Sequence, residues 1–142
     1  MPLSETQLKG RQTEIGVVNS FLQAGYNVAE PYVADRYDLI ADINGRLLKI
    51  QIKTSRITET GTIVFSTKNI HINTTGTCYK NYKNDNIDFF ATMYKNQCYL
   101  VPVQECGISN CALRIEKPKN NATKNIRFIE DYTLEKQLES YT

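Results

Sequence analysis

Apolar and polar residues alternate on both sides of the dipeptide Asn44-Gly45, and this alternation predicts a β-hairpin. In residues 37–43 and 46–53 every second position is apolar, so each arm has one face suited to a core and one polar face. Asn and Gly readily adopt the positive φ that a type I′ turn requires at both central positions. The open end of this hairpin therefore brings the start of the first arm beside the end of the second.

A helix is predicted upstream, over residues 9–22, from apolar residues at helical spacing. Ser4 with Gln7 three positions later is a capping signal, and Gly25 is typical of the residue that follows a helix. The side expected to face the core carries the apolar residues of that spacing: Ile15, Val18 and Leu22.

Downstream of the hairpin, residues 61–68 alternate well enough to predict a third strand. The simplest arrangement joins it to the hairpin as three consecutive antiparallel strands. Residues 69–86 are rich in Asn, Thr, Gly, Lys and Tyr, which favours a long polar loop. Such a loop either contacts phosphates and bases or is simply solvated, and the sequence leaves both interpretations open.

The rest of the chain completes a mixed α/β fold with a central sheet of about five strands flanked by helices. The same patterns predict strands or extended segments at 26–33, 87–94, 97–103 and 112–116, and a terminal helix over 131–138 that Asp131 caps. Neither an internal repeat nor a linker divides the sequence, so residues 1–142 are predicted to form a single domain.

Composition narrows the functional classes. The chain is 41% hydrophobic with a net charge of +2, and it contains no apolar run of membrane-spanning length and no signal-peptide pattern. We therefore expect a protein without a membrane partner, located in the cytoplasm or associated with a nucleoid or organelle. Four cysteines without a Cys-x-x-Cys pair favour free thiols over a zinc site or disulfides; they are Cys78, Cys98, Cys106 and Cys111.

Three polar side chains are predicted to meet at the open end of the hairpin. Asp38 begins the first arm, and Gln51 and Lys53 end the second on its polar face. On sequence grounds, Asp42 is assigned to the turn, Asp88 to a strand start and His71 to the surface. A polar stripe alone is what any half-exposed strand shows, so the acid beside it carries the functional argument.

Asp38 followed by Gln51-Ile52-Lys53 resembles the active centre of the PD-(D/E)-XK nuclease superfamily, whose motif is an Asp on one strand and (E/Q)-x-K on the next. Members also carry a Glu on the preceding helix, and Glu14 matches that position. The chain departs from the usual motif at Tyr37, where Pro is common, and at Gln51, where Glu is usual. The resemblance implies a restriction-endonuclease-like core.

The resemblance also implies the role of each site residue. Asp38, the amide oxygen of Gln51 and the backbone carbonyl of Ile52 would hold Mg²⁺ or Mn²⁺, which take oxygen ligands. Lys53 would orient the attacking water and offset phosphate charge. Glu14 would bind the metal through water or position a second ion.

Double-stranded DNA is the expected partner. The residues predicted to contact it are basic or hydroxyl-bearing and lie near the centre or in the polar loop: Lys9, Arg11, Thr54, Ser55, Arg56, Lys68, Lys80 and Lys83. Because cleavage of both strands requires two centres, a homodimer or homotetramer is expected.

Within the superfamily, the resemblance over residues 9–103 is greatest to small intron-encoded homing endonucleases. The predicted function is therefore metal-dependent, site-specific hydrolysis of DNA phosphodiester bonds. A Holliday junction resolvase and a restriction-type nuclease remain alternatives, as does a DNA-binding module whose catalytic centre has been lost through the substitution at Gln51.

Overall fold

The computed structural model describes residues 2–33, 35–73, 76–81, 87–116 and 126–142, with 69–73 and 76–81 described by their backbone alone. Its helices are α1 (Glu5–Gln23) and α2 (Leu134–Leu138). Its strands are β1 (Asn27–Ala29), β2 (Leu39–Ile43), β3 (Arg46–Ile52), β4 (Arg56–Ile57), β5 (Thr62–Ser66), β6 (Lys68–Asn73), β7 (Gly76–Asn81), β8 (Phe89–Tyr94), β9 (Gln97–Pro102) and β10 (Asn110–Arg114). Short 3₁₀ helices span Val103–Glu105, Ile129–Tyr132 and Glu139–Tyr141.

The predicted hairpin is confirmed. Strands β2 and β3 pair antiparallel from Leu39 opposite Ile50 to Ile43 opposite Arg46. Asn44 and Gly45 connect them with φ of 55° and 95°, the positive values expected of a type I′ turn. The predicted core-facing side of β2 is also confirmed, since the apolar residues at its alternate positions are all buried.

The central sheet has five strands in the order β1-β2-β3-β8-β9, and β3 and β8 run parallel while the other neighbours are antiparallel. This mixed sheet flanked by helices confirms the predicted fold class. The predicted arrangement of three consecutive antiparallel strands is wrong. β8 occupies the edge of β3 that the third strand was expected to take, and β5 instead pairs with β10 and β4 in a second sheet.

The loop predicted over residues 69–86 is also wrong for most of its length. β6 and β7 form a two-stranded antiparallel ribbon from Lys68 opposite Asn81 to Asn73 opposite Gly76. Ile70 and Ile72 alternate with polar residues in β6, but the Asn, Thr and Gly around them favour turns, and this composition outweighed the alternation in the prediction. Lys83 lies outside the described residues, as do the side chains of Lys80, His71 and Cys78.

Helix α1 begins four residues before the predicted range of 9–22, directly after the predicted cap Ser4, and it ends before Gly25 as predicted. The Ser4 hydroxyl accepts a hydrogen bond from the Gln7 amide at 3.1 Å, and the Gln7 side chain accepts one from the Ser4 amide at 3.2 Å. Gly25, with φ of 93°, donates its amide to the Leu22 carbonyl at 3.0 Å, and the Tyr26 amide bonds the Phe21 carbonyl. This is the Schellman ending, which glycine favours.

The buried side of α1 is not the predicted one. Thr13, Val17 and Phe21 face the core; of the predicted residues, Val18 is partly buried against it, while Ile15 and Leu22 are 61% and 50% exposed. The helix carries two apolar stripes, and periodicity alone does not say which one the sheet covers. Close approach decides it: a β-carbon on Gly16 would lie 3.1 Å from the Met93 side chain of β8.

The apolar side chains form two clusters. One joins α1 and α2 to the central sheet and includes Phe21, Leu48 and Ile50. The other joins the central sheet to β5 and β10 and includes Phe65 and Phe90. The candidate site lies where β2 and β3 emerge from this packing, so its backbone is anchored by buried neighbours.

The terminal helix is shorter than predicted, and its cap is different. Asp131 lies in a 3₁₀ turn, and the Thr133 hydroxyl accepts the Lys136 amide at the start of α2 instead. Leu134 and Leu138 are buried, as their spacing indicates. No helix in the described part of the chain is long and apolar enough to cross a membrane.

Candidate active site

Asp38 lies at the open end of the hairpin, one residue before β2. Its backbone amide donates to the Ile50 carbonyl at 2.8 Å, which continues the β2–β3 pairing to this residue. Its Oδ2 accepts hydrogen bonds from Gln51 Nε2 and from the Ile52 amide, both at 2.9 Å. The carboxylate is thereby fixed against the end of β3, as the sequence predicts.

Gln51 is oriented by the carboxylate beside it. An ionised carboxylate only accepts hydrogen bonds, so the amide nitrogen of Gln51 faces Asp38. Its amide oxygen, which is the predicted metal ligand, is the other polar atom of this amide and does not face Asp38. The role of Gln51 as a ligand stays a prediction, and it requires the amide to rotate about its last side-chain bond.

The carbonyl of Ile52 points toward the same site. Within a strand, residues two apart direct their backbone polar groups to the same side. The Ile50 carbonyl bonds the Asp38 amide, and the Ile52 amide bonds the Asp38 carboxylate. The Ile52 carbonyl therefore faces the β2 side of β3, where the predicted ligand is required.

Lys53 follows β3, and its amide donates to the Ala91 carbonyl of β8 at 2.9 Å. The pKa of its ammonium is lowered, chiefly because burial penalises the charge, while the nearby Asp38 carboxylate acts in the opposite direction. Lys53 and Asp38 thus interact electrostatically at a partly dehydrated position. This environment suits an amine that must act on a phosphate rather than remain solvated.

Glu14 reaches the site from α1. It forms an ion pair with Arg11 at 2.9 Å, and its negative charge contributes to raising the pKa of Asp38. Burial is the largest cause of that raised pKa; the Ile52 amide and Lys53 oppose it. A positive charge placed near this carboxyl group would therefore stabilise its ionised form.

A cleft of about 370 Å³ is shared by Glu14, Asp38 and Ile52, whereas Gln51 and Lys53 are not among the residues that line it. It is lined by side chains from α1, from the segment before β2 and from the ends of β2 and β3: Arg11, Glu14, Ile15, Val18, Glu30, Pro31, Asp35, Tyr37, Asp38, Leu39 and Ile52. Sequence reasoning missed Glu30 and Asp35, since two acids in an irregular segment carry no spacing that relates them to a distant strand.

Among the described residues, no group of three or more His, Cys, Asp and Glu side chains is placed to hold a metal. A cation at this site would therefore combine the Asp38 carboxylate with neutral oxygens and water, with Glu14 near by. That donor set fits Mg²⁺, which keeps several water ligands and binds through one or two carboxylates.

The predicted DNA contacts fall in different surroundings. Lys9, Arg56 and Lys68 are exposed, and Arg11 lies at the cleft. The Thr54 hydroxyl is 3.4 Å from that of Thr13. Ser55 instead donates its hydroxyl to the Met93 carbonyl at 3.3 Å, a contact that joins the chain after β3 to β8.

Two other acids have the structural roles expected from the sequence. Asp42 accepts the Gly45 amide at 2.8 Å, within the turn. Asp88 accepts the Lys49 amide at 2.8 Å, which joins the start of β8 to β3. Cys98, Cys106 and Cys111 are free thiols, as expected.

A sequence profile described as PD-(D/E)XK endonuclease matches residues 4–135, which is most of the chain. The chain belongs to the PD-(D/E)XK endonuclease family. This membership confirms the resemblance read from Asp38, Gln51-Ile52-Lys53 and the preceding helix, and with it an endonuclease activity.

A solved structure supports the fold independently. The bacterial homing endonuclease I-Ssp6803I superposes with a TM-score of 0.75 at 23% identity, covering 98% of each chain. At this identity the likeness establishes the shared fold. The sequence matches no curated protein.

Proposed function

We propose that this PD-(D/E)XK endonuclease is a metal-dependent, site-specific DNA endonuclease of the homing type. The observation that carries the proposal is the convergence of Asp38, the Ile52 backbone and Lys53 at one end of the hairpin. The likeness to I-Ssp6803I over 98% of both chains supports the homing type.

Mg²⁺ or Mn²⁺ would be held by Asp38, the Ile52 carbonyl and, after rotation of its amide, Gln51. When bound, such a cation activates water and offsets charge on the phosphate. The chain's own residues supply the geometry. The Ile52 amide keeps Asp38 in place, and Glu14 adds negative charge that favours a cation.

Lys53 would donate hydrogen bonds to the scissile phosphate and to the attacking water. Its partial burial strengthens such contacts because competing water is reduced. Exposed Lys9, Arg56 and Lys68 would contact the DNA backbone and fix its register. A homodimer or homotetramer would provide the two centres needed to cut both strands.

Sequencing of cleaved ends across a whole genome tests this function, because the target sequence need not be chosen in advance. Fragmented genomic DNA is incubated with the protein and Mg²⁺ or Mn²⁺, and newly formed ends are captured and mapped. We expect ends that recur at one long sequence, that disappear with a chelator, and that are absent with Lys53→Met but present with Lys49→Met.

One observation favours an alternative. Gln51 donates to Asp38, so the site has one negative charge fewer than the usual motif and an amide engaged with its main carboxylate. A DNA-binding module without cleavage would show retention of specific fragments in a binding assay and no new ends in either metal. That result would show that the protein binds DNA specifically without cleaving it, and it would overturn the proposed activity.

A further inference from the structure

Two cysteines unrelated to the cleft are brought together by a short turn. Cys106 caps the 3₁₀ helix after β9, and Cys111 is the second residue of β10, opposite Phe65 of β5. Both belong to the apolar cluster between the two sheets: Cys111 is 1% exposed, and Cys106 is partly exposed at its edge.

The turn between them is compact and is held from outside. A β-carbon on Gly107 would lie 3.1 Å from the Asn110 carbonyl oxygen, so the segment folds back on itself. The buried Thr67 bonds this segment twice, through its hydroxyl to the Gly107 carbonyl at 2.7 Å and through its amide to the Ser109 carbonyl at 3.1 Å. The two ends of the segment are thus fixed side by side.

The Cys106 thiol donates to the Pro102 carbonyl at 3.7 Å. The interaction with the neighbouring thiol is the largest influence on the pKa of each cysteine. It lowers the pKa of Cys111 and raises that of Cys106. The Arg127 guanidinium near by lowers the pKa of both thiols, and the Glu105 carboxylate opposes it. Cys98, by contrast, is buried beneath α1, and burial raises its pKa.

We propose that Cys106 and Cys111 are a reversible oxidation site that closes into an intramolecular disulfide on exposure to a hydroperoxide. A cysteine sulfur of the pair attacks the peroxide, forming an S–O bond as the O–O bond breaks and releasing water or an alcohol. The second sulfur then attacks the sulfenic acid, forming the S–S bond and releasing water. The two thiols lose two electrons and two protons, and the hydroperoxide is reduced; a dithiol reverses the reaction.

The arrangement favours closure over further oxidation. The peroxide reaches the pair at its partly exposed edge, Cys106. Cys111, whose pKa is lowered, is the attacking sulfur, and Cys106 beside it is the resolving thiol. Closure requires the turn to bring the two sulfurs to bonding distance, about 2.05 Å. A sulfenic acid formed here therefore has a partner before a second peroxide arrives.

Thiol counting tests the proposal in a background that leaves only this pair. Full-length protein carrying Cys78→Ser and Cys98→Ser is treated with hydrogen peroxide, quenched, denatured and alkylated, and its intact mass is measured. We expect no alkylation after peroxide, two alkyl groups after dithiothreitol, and a monomeric chain without reductant. Wild type should retain two alkylatable thiols after peroxide.

The single variants give the control. Cys106→Ser in the same background leaves Cys111 unable to close a disulfide, so it should be overoxidised or remain alkylatable. Cys111→Ala should behave likewise, and a melting curve of each variant verifies folding. Two alkyl groups after peroxide in the background protein, or a disulfide that joins two chains, would overturn the proposal.

Discussion

The two ends of the β2–β3 hairpin use the same contact for different purposes. At the closed end Asp42 accepts a backbone amide, that of Gly45, at 2.8 Å; at the open end Asp38 accepts the Ile52 amide at 2.9 Å. Asp42 is exposed, whereas Asp38 is half-buried between Glu14 and Lys53. A carboxylate–amide bond therefore does not identify a functional acid; its burial and charged neighbours do.

The difference is also energetic. The closed end combines favourable turn residues with a satisfied side chain. At the open end, burial raises the pKa of Asp38 and lowers that of Lys53, so both charged forms are disfavoured in the folded chain. Groups whose pKa values are shifted by burial together with a charged neighbour are candidates for active-site residues.

The largest expected effect separates two lysines on the same face of the same ribbon. Lys53→Met should lower the rate of DNA cleavage about a thousandfold, because it removes a charge aimed at the reacting phosphate. Lys49→Met, nearer the turn, should change the rate less than about threefold, since Lys49 lies over the Tyr37 ring instead. Single-turnover cleavage of the mapped target measures both. An equal loss of cleavage rate in the two variants would mean that Lys53 has no role beyond that of any lysine on this face of the strand.

Gln51→Glu should weaken the open end when no metal is present. The substitution removes the donor to Asp38 and places a second carboxylate against it, which we expect to cost about 1–2 kcal/mol of unfolding free energy. Mg²⁺ should restore more stability to this variant than to wild type. Urea unfolding with chelator and with Mg²⁺ measures both, and Gln51→Met, which loses only the hydrogen bond, is the neutral control. Unchanged stability in chelator would argue against the Gln51–Asp38 contact.

Gly45→Ala should weaken the closed end without affecting chemistry. The φ of 95° at Gly45 is strained for alanine, and the cost is about 1–2 kcal/mol of unfolding free energy. Cleavage at saturating metal and DNA should stay at the wild-type rate. Gly10→Ala is the matched control, because Gly10 lies within α1 with open space around it and should tolerate alanine. A loss of cleavage in folded Gly45→Ala would show that the two ends are not independent.

A buried hydroxyl near the open end gives the smallest effect. Thr92 of β8 is fully buried, and its Oγ1 has no hydrogen-bond partner in the described part of the chain. Thr92→Val removes that polar atom while keeping the shape, so it should raise the unfolding free energy by about 1 kcal/mol. Thr92→Ser keeps the hydroxyl and loses a methyl group, and it should do the opposite. Thermal unfolding of both variants decides the sign.

Local chemistry explains which features were predictable. Asn44-Gly45, the Ser4–Gln7 cap and the alternating arms are set by neighbouring residues, and all are as expected. The parallel pairing of β3 with β8 joins segments far apart in the chain, and no local pattern encodes it. For the same reason the sequence did not indicate which side of α1 is buried, since this depends on the contact between Gly16 and the distant Met93.

The candidate site follows the same division. Asp38, Gln51 and Lys53 were related through one hairpin, whose register two turn residues determine. Glu30 and Asp35 line the cleft from an irregular segment, and their positions depend on tertiary packing. The spacing of the motif predicted the positions of the acids and the amine. The residues that line the cleft around them could be identified only from the three-dimensional structure.

In the proposed function the open end of the hairpin binds a divalent cation and the closed end does not. Paramagnetic Mn²⁺ added to isotopically labelled protein tests this, because it broadens backbone amide signals near its binding site. We predict stronger broadening at Asp38 and Ile52 than at Asp42 or Gly45, and loss of the effect in Asp38→Asn but not in Asp42→Asn. The broadening should fade as the pH falls through the raised pKa of Asp38, since the protonated acid loses its charge. Broadening centred on Gly45, or broadening at Asp38 that survives Asp38→Asn, would contradict the account.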